Sequence, residues 1–122
     1  MTRDEILAMV PGRKLDALVA EKVMGWKPVS GGWRTETKQV RTWESVSGAP
    51  GFKPSTEIAR AWEVREWLLD NRGGVRLERF CDTETPEYCE VYRGKERKLI
   101  QVWATTTPEA ICKAALLAME GS

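Results

Sequence analysis

The residues best suited to ligand chemistry lie in one segment, residues 30–53, which combines bulky aromatic rings, positive charge and four glycines. An indole ring can stack on a nucleobase, and this contact contributes ~1–3 kcal/mol. A guanidinium can hold a phosphate in bidentate fashion, and glycine amides can donate to an anion. The segment therefore predicts a binding site for a small nucleotide or a short single-stranded nucleic acid. The predicted ligand-binding residues are Trp33, Arg34, Arg41, Trp43, Phe52 and Lys53.

The four central residues of this segment have two readings. In the first, Trp33 and Trp43 stack on a base or ribose, while Arg34 and Arg41 hold phosphates. In the second, the segment is a twisted hairpin in which the two indoles form a cross-strand pair and the arginines are solvated. The sequence leaves both readings open.

Several residue types and motifs that catalysis commonly uses are missing. The chain has no histidine, which removes the commonest general base, the histidine-activated nucleophiles and most zinc sites. No C-x-x-C, G-x-x-x-x-G-K-[ST] or G-x-G-x-x-G motif occurs. We expect no catalytic residues, no metal and no cofactor, and hence no enzyme. An enzyme that uses carboxylates or a cysteine remains the less favoured alternative.

Length and charge suit one small globular domain, predicted to span residues 1–122. Apolar residues make up 42% of the chain and charged residues 30%, which argues against disorder. The net charge of +1 provides no general attraction to nucleic acid. Glutamates intersperse a second cationic group, which favours a solvated sheet edge over extended nucleic-acid binding. Its members are Arg76, Arg79, Arg93, Lys95, Arg97 and Lys98.

The N-terminal residues lack the features of a secretory signal, and no apolar run approaches the ~20 residues that span a bilayer. We therefore expect a protein of the cytosol with no membrane partner. In that compartment Cys81, Cys89 and Cys112 are predicted to be thiols. Cys81 and Cys89 flank a predicted turn, so oxidation could pair them.

The first half of the chain predicts two helices and a weakly patterned stretch. Thr2 and Glu5 form a capping box, and Pro11-Gly12 ends the short first helix. A second helix is predicted over 13–24, where Gly25 is the stop and Trp26 folds back into the core. One or two short strands, arranged as a hairpin, are predicted between residues 27 and 54.

The second half predicts a helix, a three-stranded meander and a final helix. Ser55 is the predicted cap of the third helix. Alternation predicts strands within 75–82, 88–93 and 98–105, with a turn at Gly94. Thr107 is the predicted cap of the last helix, and Gly121 its stop. This order indicates an α+β fold, a three-layer helix/antiparallel sheet/helix sandwich.

Helical spacing on the third helix predicts its buried side. The predicted core stripe consists of Ile58, Ala61, Trp62, Leu68 and Leu69. Trp67 lies off this stripe, which suggests a second contact surface or a dimer. Trp103 could face either side of the sheet.

Three blocks of sequence resemble the phage ABA sandwich domain family. They are PGRKLDALVAEKVMGWK (11–27), PSTEIARAWEVREWL (54–68) and TTPEAICKAALLAM (106–119), and they cover a little over a third of the chain. The resemblance implies a helix-sheet-helix sandwich and a phage or prophage protein, mostly of Gram-positive hosts. It carries over no catalytic residues.

Two functions are compatible with these observations. The first is a non-catalytic protein that sequesters a small nucleotide immune signal, of cyclic nucleotide or cyclic ADP-ribose type, in host anti-phage defence. Such a protein needs aromatic walls, arginines and a closed pocket, which a homo-oligomer can form at a subunit interface. The alternative is an adaptor or inhibitor that binds a host or phage protein through exposed tryptophans.

Overall fold

The computed structural model describes residues 1–71, 73–81, 83–93 and 98–120. These residues form an α+β architecture, as predicted, in which the strands divide between two antiparallel sheets. The helices are α1 (Arg3–Ala8), α2 (Arg13–Leu18), α3 (Ile58–Asn71) and α4 (Thr107–Glu120). The strands are β1 (Lys27–Val29), β2 (Gly32–Arg34), β3 (Val40–Thr42), β4 (Gly73–Arg79), β5 (Glu87–Arg93) and β6 (Lys98–Ala104). The predicted turn at Gly94, the cations Lys95 and Arg97, and the stop at Gly121 lie outside the described residues.

The two N-terminal helices begin and end close to the predicted positions. The capping box is confirmed, because Thr2 Oγ1 accepts from the Glu5 amide and the Glu5 carboxylate accepts from the Thr2 amide. After α2 the helix continues as a π-helical turn, Val19–Val23. Gly25 then adopts a φ of +74°, and the Trp26 amide donates to the Ala20 carbonyl over 3.0 Å. As predicted, Trp26 folds back and is buried.

The weakly patterned stretch forms three short strands rather than one or two, in the order β1-β2-β3. Within this sheet Trp33 lies opposite Arg41, and Trp43 comes after the end of β3. The predicted cross-strand pair of Trp33 and Trp43 is therefore not formed.

The meander is confirmed as a second sheet with the order β4-β5-β6. Helix α4 packs against β5 and β6 and also contacts α1, α2, its π-helical turn and α3. Every residue from Ala110 to Ala118 is buried, and the small alanines let neighbouring elements approach closely. The helix begins one residue earlier than predicted, because Thr106 rather than Thr107 accepts from the Glu109 amide.

Helix α3 differs most from its sequence prediction. It begins at Ile58, and the fully buried Ser55 is not its cap. The inward stripe consists of Ala61, Val64 and Leu68. The other predicted core members are exposed, and they are Ile58, Trp62 and Leu69. Trp67, which lay off the predicted stripe, is partly buried and packs against the core.

The buried apolar side chains form one cluster that joins both sheets to the helices. Within the described part of the chain, no helix has the length and apolar character that crossing a membrane requires. The three cysteines are free thiols, as predicted, with Cys81 exposed and the other two buried. Burial raises the pKa of Cys89 to about 12 and also raises that of Cys112 well above its ordinary value, so both stay protonated at neutral pH.

Candidate functional site

The predicted ligand-binding residues do not share one surface. Trp33 and Phe52 are buried, in contrast to the outward orientation expected of a stacking ring. The Phe52 ring lies 4.7 Å from Trp26 and 6.1 Å from Trp33, measured between centroids. The indole N–H of Trp33 donates to the Glu21 carboxylate over 3.3 Å. The rings of Trp33 and Phe52 therefore stabilise the core rather than present a surface on which a base could stack.

Arg41 lies over two of these core rings, 5.5 Å from the Trp26 centroid and 5.4 Å from that of Phe52. Its guanidinium donates to both carboxylate oxygens of Glu63, over 3.0 and 3.2 Å, and to the Gly51 carbonyl over 3.1 Å. Its Nε atom is buried and has no hydrogen-bond partner among the described residues. Arg41 thus connects β3 to α3, and most of its donors are unavailable to a phosphate.

Trp43 is held by a buried carboxylate that the sequence prediction did not include. Its indole N–H donates to Asp16 Oδ2 over 2.9 Å, and the Ser55 amide donates to Asp16 Oδ1 over 2.7 Å. The Ser55 hydroxyl accepts from the Gly12 amide over 2.9 Å. Asp16 is fully buried, and it joins α2 to two segments that lie 27 and 39 residues further along the chain.

The only signal for Asp16 in the sequence is its place among the apolar residues of α2, directly after Leu15. That place indicates a buried position, and a buried carboxylate needs donors. The pattern does not say which donors these are.

A cavity of about 280 Å³ lies beside the Trp43 ring, and we call it the Trp43 cavity. It is bordered by Trp43, Glu44, Ser45, Pro50, Gly51, Lys53, Glu57, Ala59 and Arg60. Lys53 Nζ lies 4.2 Å from the Trp43 ring centroid and 3.0 Å from a Glu44 oxygen. Arg60 pairs with Glu63 over 2.8 Å. Of the six predicted residues, the cavity brings together only Trp43 and Lys53, whereas Arg34 is exposed at the end of β2.

A second candidate surface is the face of the β4–β6 sheet that points away from α4, which we call the sheet face. It exposes four large apolar side chains by 39–51%: Phe80 just after β4, Tyr92 on β5, and Leu99 and Trp103 on β6. The strand register sets Tyr92 beside Leu99 at one end and Tyr88 beside Trp103 at the other. The Tyr88 ring contacts Trp103, with centroids 4.5 Å apart, and meets Phe80 edge-on at 6.0 Å.

A polar network crosses the middle of the sheet face. Tyr88 and Tyr92 both donate their hydroxyls to the Glu90 carboxylate, Tyr92 over 2.8 Å. The Gln101 amide donates to the Tyr88 hydroxyl over 2.8 Å. Arg76 lies 3.9 Å from Glu90 and also pairs with Glu78. The network fixes the orientation of two tyrosine rings, so the apolar surface beside it is preorganised.

The same hydrogen bonds set the charge of the network. The hydrogen bond from the Tyr88 hydroxyl, and to a lesser extent the one from Tyr92, lowers the pKa of the Glu90 carboxyl below its ordinary value of 4.5. Desolvation, and to a lesser extent the hydrogen bond to Glu90, raises the pKa of Tyr88 to about 12. At neutral pH the sheet face therefore presents an ionised carboxylate between two protonated tyrosines.

The described residues contain no cluster of three or more histidine, cysteine, aspartate or glutamate side chains suited to a metal ion. The two buried thiols are also held in the form that does not act as a nucleophile.

Comparison with known proteins identifies the family. A model of the phage ABA sandwich domain matches residues 17–116. The chain belongs to this family. A solved structure, that of a phage protein from Bacillus cereus ATCC 14579, is similar over 93% of this chain and 90% of its own, with 26% identity and a TM-score of 0.67. A comparison with curated proteins found no match.

The match confirms the resemblance that the three helical blocks carried. Residues 17–116 include the lining of the Trp43 cavity and all four exposed residues of the sheet face. Both candidate surfaces of this phage ABA sandwich domain thus lie within the residues that the family model matches, whereas Asp16 and α1 lie just before them.

Proposed function

We propose that this phage-family protein is a non-catalytic adaptor or inhibitor that binds a host or phage protein through the sheet face. The observation that carries the proposal is the exposure of Phe80, Tyr92, Leu99 and Trp103 on one ordered surface. Exposed apolar patches with a polar surround mark interaction sites, and Trp, Tyr and Arg are enriched among the residues that dominate binding energy.

The composition of the sheet face favours a protein partner over nucleic acid. Arg76 lies among the carboxylates of Glu78 and Glu90, so the face carries no continuous basic track for a phosphate backbone. The sheet face is partly polar and partly apolar, and the surface of a non-obligate protein interface taken as a whole has the same mixed composition. In this proposal Trp103 and Tyr92 are the apolar anchors, and Arg76 supplies a charge-assisted hydrogen bond to the partner.

Capture experiments with matched variants test the proposal. Tagged wild-type protein, Trp103→Asp and Trp62→Ala are expressed in phage-infected host cells, and each is recovered with its bound proteins. We expect one stoichiometric partner with the wild type and with Trp62→Ala, because Trp62 lies on α3 and is not among the exposed apolar residues of the sheet face. Trp103→Asp should weaken binding to the purified partner at least about tenfold, because a charge that the partner covers is desolvated.

Retention of the partner by Trp103→Asp, or recovery of no stoichiometric protein by the wild type, would contradict the proposal. Hydrogen exchange of the reconstituted complex supplies an independent readout. Protection on complex formation should concentrate in β5 and β6 rather than in α3.

The Trp43 cavity supports a second candidate function, the sequestering of a small nucleotide immune signal in the cytoplasm of the infected cell. The supporting observation is that one indole, Lys53 and Arg60 border a cavity of about 280 Å³, near the lower end of ligand-site volumes. A ligand phosphate would compete with Glu44 for Lys53 and with Glu63 for Arg60. A base would stack on Trp43 beside the displaced lysine.

Calorimetry with cyclic nucleotides and cyclic ADP-ribose isomers tests this second function. A bound nucleotide should release heat with the wild type and lose at least about tenfold in affinity with Lys53→Ala, because one phosphate contact is removed. Arg34→Ala is the matched control, since Arg34 lies outside the cavity lining. If the whole panel gives neither heat nor a thermal shift, the second function is excluded.

A further inference from the structure

Helix α3 carries a second apolar stripe on its outward side, defined by Ile58, Trp62 and Leu69. These side chains are exposed by 45%, 40% and 36%. Trp62 follows Ile58 by four residues, and Leu69 follows Trp62 by seven, with Arg65 between them. This spacing puts the side chains on one side of the helix, as in helices that dock on a partner. The Arg65 guanidinium lies 5.1 Å from the centroid of the Trp62 ring.

The outward stripe is symmetric about the peptide bond between Glu63 and Val64. Ile58 lies as far before that bond as Leu69 lies after it, and the same holds for Trp62 and Arg65. An antiparallel pair of identical helices would therefore place Ile58 against Leu69 and Trp62 against Arg65, each twice. A stripe that matches its own reverse suits a two-fold contact.

We propose that the outward stripe of α3 docks on the same stripe of a second copy of this chain, as an antiparallel two-fold helix pair. On pairing, each Trp62 exchanges the guanidinium of its own chain for the partner's Arg65, which preserves the cation–π contact while both rings leave water. Each Leu69 reaches the region of the partner's Ile58.

A groove lies where that leucine would arrive. It has a volume of about 390 Å³ and lies between the start of α3 and the neighbouring ends of β4 and β5. Its lining residues are Ile58, Trp62, Leu77, Glu78, Arg79, Glu87 and Thr107. Arg79 already pairs with Glu87 over 2.6 Å, so an aliphatic side chain can enter without leaving that carboxylate unpaired.

Charge along the contact does not oppose the pairing. By the same symmetry, the flanking residues Ala59 and Glu66 lie level with Leu68 and Ala61 of the second copy, which are both uncharged. No like charges are therefore brought face to face at these positions. A parallel pair would instead oppose Glu66 to Glu66 and Arg65 to Arg65, which disfavours it.

The contact is small, and its expected affinity follows from its size. Helix α3 has 14 residues and is about 21 Å long, so the pair buries less surface than an obligate dimer. We expect reversible dimerisation with a dissociation constant of order micromolar.

Sedimentation velocity across a range of ~1–200 µM tests the pairing, since the dimer fraction follows mass action. Wild-type protein should move from monomer to dimer with concentration. Trp62→Glu should raise the dissociation constant at least about tenfold, whereas Trp103→Glu on the sheet face should leave it unchanged. Circular dichroism confirms that both surface variants are folded. A wild type that stays monomeric throughout would overturn the proposal, as would dissociation by Trp103→Glu but not by Trp62→Glu.

Directed cross-linking tests the orientation. Ile58→Cys and Leu69→Cys are prepared in a Cys81→Ser background, which removes the exposed native thiol. Oxidation of the mixture should give a disulfide between the two different variants, because antiparallel pairing brings position 58 to position 69. Efficient cross-linking of Ile58→Cys with itself, and none in the mixture, would refute the antiparallel arrangement.

Discussion

The segment 30–53 and the sheet face both contain tryptophan, a second aromatic residue and arginine, yet they use these side chains in opposite ways. In the segment, Trp33 and Phe52 point into the core, and carboxylates accept the indole N–H groups of Trp33 and Trp43. On the sheet face, by contrast, the Trp103 ring is half exposed. The hydrogen bonds there are made by neighbouring side chains, such as Gln101 and Tyr88. Residue type is therefore a weaker guide to a binding surface than whether another helix or strand packs over the side chains.

The difference follows from strand length. Strands β1, β2 and β3 have three residues each, too few to form a stable sheet alone. The ring of Trp33 on β2 is accordingly buried, where it contacts Phe52 and donates to Glu21 of the π-helical turn. Strands β4, β5 and β6 have seven residues each and already pack one face on helices, β4 on α3 and β5 and β6 on α4. Their alternation leaves the other face free for function.

The largest expected loss of stability is for the substitution of a buried ring in the segment 30–53. Phe52→Ala should lower the free energy of unfolding by ~3–5 kcal/mol, because it opens a cavity beneath Trp26, Trp33 and Arg41. Urea denaturation followed by tryptophan fluorescence measures the loss. A change below ~1 kcal/mol would mean that the ring is not a core residue.

Asp16→Ala should rank second. It leaves the indole N–H of Trp43 and the amide of Ser55 without acceptors in a buried place, at a cost of ~1–3 kcal/mol for each group. Asp16→Asn keeps one acceptor oxygen, so it should lose less. Equal losses for the two variants, measured by the same denaturation, would show that the carboxylate oxygens do not carry the effect.

The polar network on the sheet face predicts a contribution to the free energy of unfolding that is lost in acid. Since the folded-state pKa of Glu90 lies below 4.5, its contribution to stability is fully present above that pH and disappears as pH falls through the folded pKa. The stability difference between wild type and Glu90→Gln should therefore shrink on going from about pH 6 to about pH 3. A difference that is constant with pH would indicate that hydrogen bonding to the tyrosines does not perturb the carboxyl.

The smallest effect is expected at the exposed apolar end of the sheet face. Leu99→Thr should change the free energy of unfolding by no more than ~0.5 kcal/mol, because the leucine is already 44% exposed and threonine suits a strand. The same variant should weaken partner capture. Destabilisation comparable to that of Phe52→Ala would remove the contrast between the two regions.

The sequence predicted the strongly periodic elements well. Alternation located β4, β5 and β6, and the capping box located α1, because these signals act between residues close in the chain. It misassigned the buried side of α3 because that helix has apolar residues on two sides, and spacing alone does not say which side meets α4.

The candidate site was harder to predict because it depends on distant contacts. The hydrogen bond from Trp43 to Asp16 joins residues 27 positions apart, and the bond from Ser55 to Asp16 spans 39 positions. No local pattern encodes such pairs. The exposure of Trp103 likewise depends on which face of the sheet α4 covers, and alternation left that choice open.

The central position of α4 has a consequence for biosynthesis. This helix follows every other described element in the chain, yet it supplies the surface on which β5, β6 and three other helices pack. While a ribosome is still synthesising residues 107–120, the sides of β5 and β6 that pack on α4 have no cover. We therefore expect the nascent chain to expose apolar surface, and to be a substrate for chaperones, until this alanine-rich helix leaves the exit tunnel.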